Sequence, residues 1–137
     1  MRFATLLAAL LSFTAVAASA DPVNWSAAAE HDVIEVLSTD PDGALRESKV
    51  IIAALDGRGY VRTNDSRWFQ NLVRGPNGAV RFGDAEYPVH AAVVLDPALR
   101  ARVDAVFGER YPFFSWFSRL FGRNGGVNCL ELTAREP

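Results

Sequence analysis

The stretch that decides the fold is Tyr60–Gly83, YVRTNDSRWFQNLVRGPNGAVRFG. It starts as a β-type run that ends in Arg62-Thr63, passes through a polar loop, and then takes on helical spacing. Ser66 is a good N-cap, and the apolar residues that follow it recur on one helical face. RGPNG (Arg74–Gly78) ends the helix, and AVRFG resumes a strand. The stretch therefore predicts a strand, a short helix and a second strand joined by polar turns.

Three β-type runs up to this helix predict an antiparallel meander. VIEVLST (Val33–Thr39) alternates partly between apolar and polar residues, and DPDG (Asp40–Gly43) is a strong turn signal. LRESKVIIAAL (Leu45–Leu55) becomes continuously apolar, which predicts one long strand whose end is buried on both faces. DGRG (Asp56–Gly59) then turns the chain into YVRT.

Two more strands, a longer helix and a last strand are predicted after the short helix. The strands are AVRFG and YPVHAAVVL (Tyr87–Leu95), and Asp96-Pro97 is a clear helix start because Asp caps and Pro suits the first helical position. GGVNCLELTAR (Gly125–Arg135) forms the last strand. Together with a short helical lead, WSAAAEHD, the pattern predicts a mainly β, α+β fold. We expect a small six-stranded barrel whose open ends are plugged by two or three helices, with an α+β sandwich as the alternative.

The first twenty residues have the features of a cleaved signal peptide. Arg2 supplies a positive start, FATLLAALLSFTAVA is a short apolar run, and ASA ends at Ala20 with small residues at the positions a signal peptidase reads. We therefore expect a signal peptide over residues 1–20 and one domain over residues 21–137. The protein is predicted to be periplasmic or secreted.

The charge and cysteine content limit the classes of partner. Removing Arg2 leaves 13 basic and 16 acidic side chains, and the basic residues are dispersed, so no nucleic-acid partner is expected. Cys129 is the only cysteine, which excludes an internal disulfide. A buried Cys on the last strand is the expected arrangement, and an intermolecular bridge or a reactive thiol is the alternative.

The candidate binding residues surround the turn before the short helix: Arg62, Thr63, Ser66, Arg67 and Trp68. A helix N-terminus offers unpaired N–H groups and a partial positive charge, and arginines add bidentate contacts to an anion. One interpretation is therefore a site for a flat anionic ligand, with Trp68 beside its ring. The other is an ordinary connection, with Ser66 as a cap, Trp68 in the core and both arginines in solvent.

Two further groups of residues carry weaker signals. His31, Glu35 and His90 have no recognised metal-ligand spacing, so no metal site is predicted. The aromatic segment Phe113–Phe121 has a wide apolar face. It could be a lid over the barrel or part of a dimer seam, a membrane-surface contact, or the wall of a hydrophobic ligand pocket.

The order of these motifs resembles the split β-barrel superfamily of flavin- and deazaflavin-binding proteins. The resemblance runs from about Val33 to Arg135 and rests on LDGRGYVRT, on S-x-W-F-x-N-L (Ser66–Leu72), and on VVLDPALRARVDAVFGERY. This superfamily includes pyridoxamine-phosphate-oxidase-like and deazaflavin-dependent nitroreductase-like proteins. The sequence is most similar to a small branch of unknown function, which shares YVRT, a following RWF and the TAR end.

The resemblance implies a homodimer with FMN or a deazaflavin at the subunit interface. It places the cofactor phosphate on the loop after the third strand and at the start of the short helix. The implied activity is that of a nitroreductase or quinone-reductase-like oxidoreductase, in which the cofactor supplies the chemistry. Glu47 departs from the pattern, because its charge would repel a reduced, anionic flavin. The alternative is a cofactor-free binding or structural module on the same barrel.

Overall fold

A computed structural model describes residues 21–112 and 128–136. The predicted signal peptide and the aromatic segment Phe113–Phe121 lie outside the described residues. The helices are α1 (Trp25–Ala29), α2 (Arg67–Arg74) and α3 (Pro97–Arg110). The strands are β1 (Ile34–Thr39), β2 (Leu45–Val50), β3 (Ala53–Leu55), β4 (Arg58–Thr63), β5 (Gly78–Phe82), β6 (Ala85–Val93) and β7 (Asn128–Ala134).

All seven strands form one antiparallel sheet in the order β2-β1-β5-β6-β7-β4-β3. The two edge strands, β2 and β3, are joined by only Ile51 and Ile52. Three Cα–Cα steps of 3.8 Å span at most about 11 Å, so the two edges must meet at this corner. The sheet is therefore curled into a barrel, and the predicted fold class is confirmed.

The described residues form seven strands instead of the predicted six. The difference arises in Leu45–Leu55, which was expected to be one strand and is divided at Ile51-Ile52. Its first part pairs with β1 and its second part with β4, at opposite edges of the sheet. A chain segment that changes its partner strand must bend. The sequence pattern did not indicate this bend, because both parts of the segment are partly buried and read as one apolar run.

The barrel interior is closed by α1 and α2. Trp25 of α1 and the α2 residues Trp68 and Leu72 join the buried apolar side chains that point inward from the strands. The approach is close at Gly59, where a Cβ atom would overlap the ring of Trp25. A glycine at this position therefore lets α1 lie directly on β4.

The third helix packs on the outer face of the sheet. Val103 and Phe107 of α3 form a second buried cluster with Ala53, Tyr60 and Cys129. Cys129 is a buried free thiol on β7, as the sequence predicted. No helix within residues 21–112 and 128–136 is long and apolar enough to cross a membrane.

Candidate functional site

The N-terminus of α2 is organised by two hydroxyl side chains. Ser66 is the N-cap, with extended backbone, and its Oγ accepts the N–H of Phe69 at 3.3 Å. The Thr63 hydroxyl donates to the same oxygen at 3.0 Å. Within the described residues, the N–H groups of Arg67 and Trp68 have no hydrogen-bond acceptor. The cap therefore leaves two donors directed outward from the start of the helix.

Arg67 is the first residue of α2 and is exposed. Among the residues that the structure describes, its side chain forms no hydrogen bond or ion pair, and the first turn holds no acidic residue. A cation next to the positive end of a helix dipole is electrostatically unfavourable unless an anion lies nearby. Asp40 attracts Arg67 across the groove, and Asp65 accepts from Gln70 at 3.2 Å, so the positive charge of Arg67 is only partly compensated.

A groove with a volume of about 350 Å³ runs along α2 from this point. One wall is the helix and the other is the turn after β1. The lining residues are Asp40, Pro41, Asp42, Arg67, Gln70, Asn71 and Arg74. The volume lies at the small end of the range for ligand pockets, so the groove suits a part of a cofactor or a small molecule.

A hydrogen-bonded cluster around Asp40 fixes the wall of the groove. Arg46 donates to both oxygens of Asp40, from Nε at 2.8 Å and from Nη2 at 2.9 Å. Asn71 donates to Oδ1 at 2.8 Å. The hydrogen bond from Arg46, and then that from Asn71, lower the pKa of Asp40 to about 2. Asp40 therefore stays ionised and fully paired at neutral pH.

Asn71 links α2 to the barrel and was not identified from the sequence. It is 2% exposed, and its Nδ2 also donates to Ser38 at 3.0 Å, while its Oδ1 accepts from Arg74 at 2.7 Å. Arg74 uses the same Nη2 to bond the carbonyl of Thr39 at 3.0 Å. The sequence did contain a signal for this contact. Asn71 lies three residues after Trp68, on the apolar face of the helix, and a buried amide needs hydrogen-bond partners.

Arg62 lies on the opposite face of the sheet from the α2 turn. Its Nη1 donates to Asp104 at 3.1 Å, and its guanidinium lies 4.2 Å from the ring centre of Phe107. The side chain is 12% exposed, and its buried Nε has no hydrogen-bond partner among the described residues. Arg62 is therefore built into the packing of α3.

The structure brings together three of the five predicted ligand residues. Thr63, Ser66 and Arg67 lie at the start of α2, whereas Arg62 lies under α3 and Trp68 is in the interior core, 9% exposed. The ligand-binding role assigned to these residues remains a prediction. Thr63, Ser66 and Arg67 are therefore the candidate ligand residues that the geometry supports.

The rim of the barrel beside this turn has both polar and apolar parts. Thr63 pairs with Asn128 across β4 and β7, and Val93 pairs with Leu130 across β6 and β7. Because Leu130 also pairs with the buried Val61, these side chains share the inner face. Val93 is 40% exposed. The rim therefore has the hydroxyl of Thr63 and the amide of Asn128 next to the exposed apolar side chain of Val93.

The other sequence candidates occupy separate positions. Glu35 pairs with Arg81, which also pairs with Glu47 at 3.3 Å, so the charge of Glu47 is partly compensated. His31 contacts the ring of Phe82, and His90 is exposed on β6. Over residues 21–112 and 128–136, no three metal-ligating side chains form a cluster.

Comparison with family models identifies the group to which the chain belongs. Residues 25–123 match the model of a family described as "uncharacterized protein conserved in bacteria" (DUF2255). The chain belongs to this family. No curated protein is similar enough to count as a match.

Solved structures with a similar fold are found for this chain. A conserved hypothetical protein, Rv2991 from Mycobacterium tuberculosis, aligns with a TM-score of 0.61 at 18% identity, over 86% of this chain and 84% of its own. An F420-H2 dependent reductase, FDR-A, has a TM-score of 0.58 at 14% identity, over 75% and 94% of the two chains. A FAD-binding protein from Mesorhizobium loti has a TM-score of 0.57 at 10% identity, over 81% and 84%. These similarities confirm the split-barrel fold.

Proposed function

We propose that this protein binds a flavin-like cofactor, FMN or a deazaflavin, with the anionic group at the N-terminus of α2. The observation that carries the proposal is Arg67, an exposed cation that forms no hydrogen bond or ion pair with the described residues, beside the N–H groups at the start of a capped helix. Similar structures are described as an F420-H2 dependent reductase and a FAD-binding protein, which supports this class of ligand.

The residues at the turn fit a phosphate group. A phosphate oxygen can accept from the N–H groups of Arg67 and Trp68 and from the Arg67 guanidinium. Ser66 accepts from Thr63 and Phe69, which leaves its own O–H to donate outward. This set consists of donors only, and it complements an oxyanion better than a cation or a neutral ring.

The rim next to the turn fits the flat part of such a ligand. Val93 is half-exposed on the inner face, and Asn128 offers an amide at the edge of the same surface. Trp68 is too buried to present a ring face, so the ligand ring would contact Val93 instead. The cofactor, when bound, would supply hydride or electron transfer of the nitroreductase or quinone-reductase type, while these residues orient it.

A fluorescence titration of FMN tests the proposal. We expect saturable quenching by the wild-type protein and roughly tenfold or greater weakening in Arg67→Ala, because one charge-assisted contact is lost. Arg102→Ala is the matched control, since it removes another exposed arginine, which is paired with Asp56 on the surface. Its affinity should equal that of the wild type.

Two outcomes would overturn the proposal. If neither FMN nor a deazaflavin quenches or binds at micromolar protein, the barrel is better described as a cofactor-free binding or structural module. If Arg67→Ala and Arg102→Ala weaken binding equally, the ligand responds to net charge and does not occupy the α2 turn.

Export and dimerisation are also part of the proposal. Asp21, directly after the predicted cleavage point, accepts the N–H of Ala134 at 2.8 Å, so processing after Ala20 keeps a residue that the barrel uses. N-terminal sequencing of protein from the extracellular or periplasmic fraction should begin at Asp21, and an intact leader would refute export by this route. Sedimentation of the purified protein as a monomer would refute the homodimer.

A further inference from the structure

The groove along α2 has a pattern of charge that extends beyond the helix N-terminus. Arg67, Gln70 and Arg74 are three and four residues apart, so they form one stripe on the helix, and all three line the groove. Seven residues of α-helix separate the two arginine Cα atoms by about 10 Å. The groove therefore holds a cation at each end and a neutral amide between them.

The acidic residues in the groove do not cancel these cations. Asp40 is already paired with Arg46 and Asn71. One oxygen of Asp42 accepts the N–H of Ala44, and this carboxylate is the remaining negative charge in the lining. Beside the groove, Asp65 accepts from Gln70 at 3.2 Å, so each acidic side chain at the groove is already hydrogen-bonded, and the two arginines carry the donors that have no described acceptor.

Arg74 also keeps donors for a ligand. Both of its described hydrogen bonds, to Thr39 and to Asn71, are made by Nη2. Its Nη1 and Nε have no acceptor in the described part of the chain. The contacts through Nη2 hold the guanidinium at the lining of the groove.

We propose that this groove is a second anion subsite, which selects a cofactor with a diphosphate or longer anionic tail over one with a single phosphate. The inference rests on the proposed function and deepens it, because it assigns the first anionic group to Arg67 and the next to Arg74. Long arginine side chains reach several ångströms from the helix, so two successive phosphates between them can contact both. FMN, with one phosphate, would use only the first.

Parallel titrations of the protein with FMN and with FAD test the subsite. Gln70→Glu places a negative charge between the two arginines and replaces the N–H group that donates to Asp65 at 3.2 Å with a second carboxylate. We expect FAD to bind more tightly than FMN to the wild type. The variant should weaken FAD binding about fivefold to tenfold and FMN binding less than about twofold, because repulsion grows with the ligand charge near the new carboxylate. Ala105→Glu, which adds the same charge on an exposed position of α3, is the control and should leave both affinities unchanged.

The outcomes separate this inference from the proposed function. The subsite is refuted, while the flavin site stands, if FMN binds and Gln70→Glu changes the affinities for FMN and FAD by the same factor or leaves both unchanged. If neither flavin binds the wild type, both proposals fail. If Ala105→Glu reproduces the effect of Gln70→Glu, long-range charge explains the selectivity and the subsite is again refuted.

Discussion

Two arginine–carboxylate clusters lie on opposite sides of the sheet and differ in how far their arginines are paired and buried. Around Asp40, Arg46 and Asn71 satisfy the carboxylate, and Arg67 remains without a described partner at the open groove. Around Asp104, Arg62 is covered by Phe107 and is largely buried. The first cluster leaves a positive charge at the surface, and the second places one in the packing of a helix.

The difference shows that an arginine near a predicted site is informative only when its face of the sheet is known. Arg62 and Arg67 are five residues apart in sequence, yet one packs under α3 and the other begins α2. Their substitutions should therefore separate the stability of the barrel from its ligand affinity. The three predictions below test this contrast, from the largest expected effect to the smallest.

The largest effect is expected from Asn71→Asp, in the cluster around Asp40. The new carboxylate would be buried, and it would replace the N–H group that now donates a hydrogen bond to Asp40. The new carboxylate gains an ion pair with Arg74, but like charges in contact and a lost hydrogen bond should still lower the free energy of unfolding by about 2–3 kcal/mol at pH 7. Urea unfolding followed by tryptophan fluorescence measures the loss.

Gln70→Glu is the control for this experiment because it makes the same amide-to-carboxylate change one residue earlier on α2. Gln70 is exposed, so we expect a change below about 1 kcal/mol. Equal losses in the two variants would show that the buried network around Asn71 does not hold α2 to the barrel.

A smaller effect is expected from Arg62→Ala, in the cluster around Asp104. Asp104 keeps its ion pair with Arg100, so the loss consists mainly of the packing and cation–π contact with Phe107. We expect about 1–2 kcal/mol of destabilisation, with FMN affinity unchanged in the folded protein. Arg67→Ala should give the reverse, with stability within about 0.5 kcal/mol and weaker binding.

Thermal unfolding and FMN titration of the two variants side by side check this contrast. Arg62→Met is a useful third variant, because it keeps much of the apolar contact while removing the charge. If Arg62→Ala lost affinity at full stability, Arg62 would act at the ligand and the division between the two clusters would be wrong.

The smallest effect is a difference in pH response between the two sides of the sheet. The pKa of Asp40 is lowered to about 2 from 3.8, so its contribution to stability is present above pH 4 and is lost as the pH falls towards 2. Burial raises the pKa of Cys129 from 9.0 to about 11 and that of Tyr60 from 10.0 to about 12. Their contribution is complete below pH 9 and is lost as the pH rises through 11 and 12.

Unfolding measured from pH 2 to pH 12 tests this difference. Asp40→Asn should flatten the acid side of the profile, and Tyr60→Phe should flatten part of the alkaline side. Under the same reasoning, a thiol reagent at pH 8 should modify Cys129 only after unfolding. An unchanged acid profile in Asp40→Asn would show that other carboxylates control acid unfolding.

The local pattern of the sequence was sufficient for most of the fold. Ser66 and Asp96 cap α2 and α3 as predicted, since capping depends on near neighbours. The break at Ile51-Ile52 was missed because it depends on which strands each half pairs with. An apolar run looks the same whether it is straight or bent.

The site could be predicted only in part, for the same reason. Thr63 and Ser66 are three residues apart and do contact each other. Strand alternation, which places Arg62 and Thr63 on opposite faces, was an available signal that was not applied. The partners Asp104 and Asn71 lie 42 and 31 residues from the groups they contact, Arg62 and Asp40. No local pattern specifies such pairs.

The position of β7 has a consequence for the order of events during synthesis. This strand is the last in the chain but lies in the middle of the sheet, with β6 on one side and β4 on the other. Until residues 128–134 leave the ribosome, the two parts of the sheet have no common partner strand. The barrel is therefore completed only after these residues have emerged, and the sheet stays open between β6 and β4 until then.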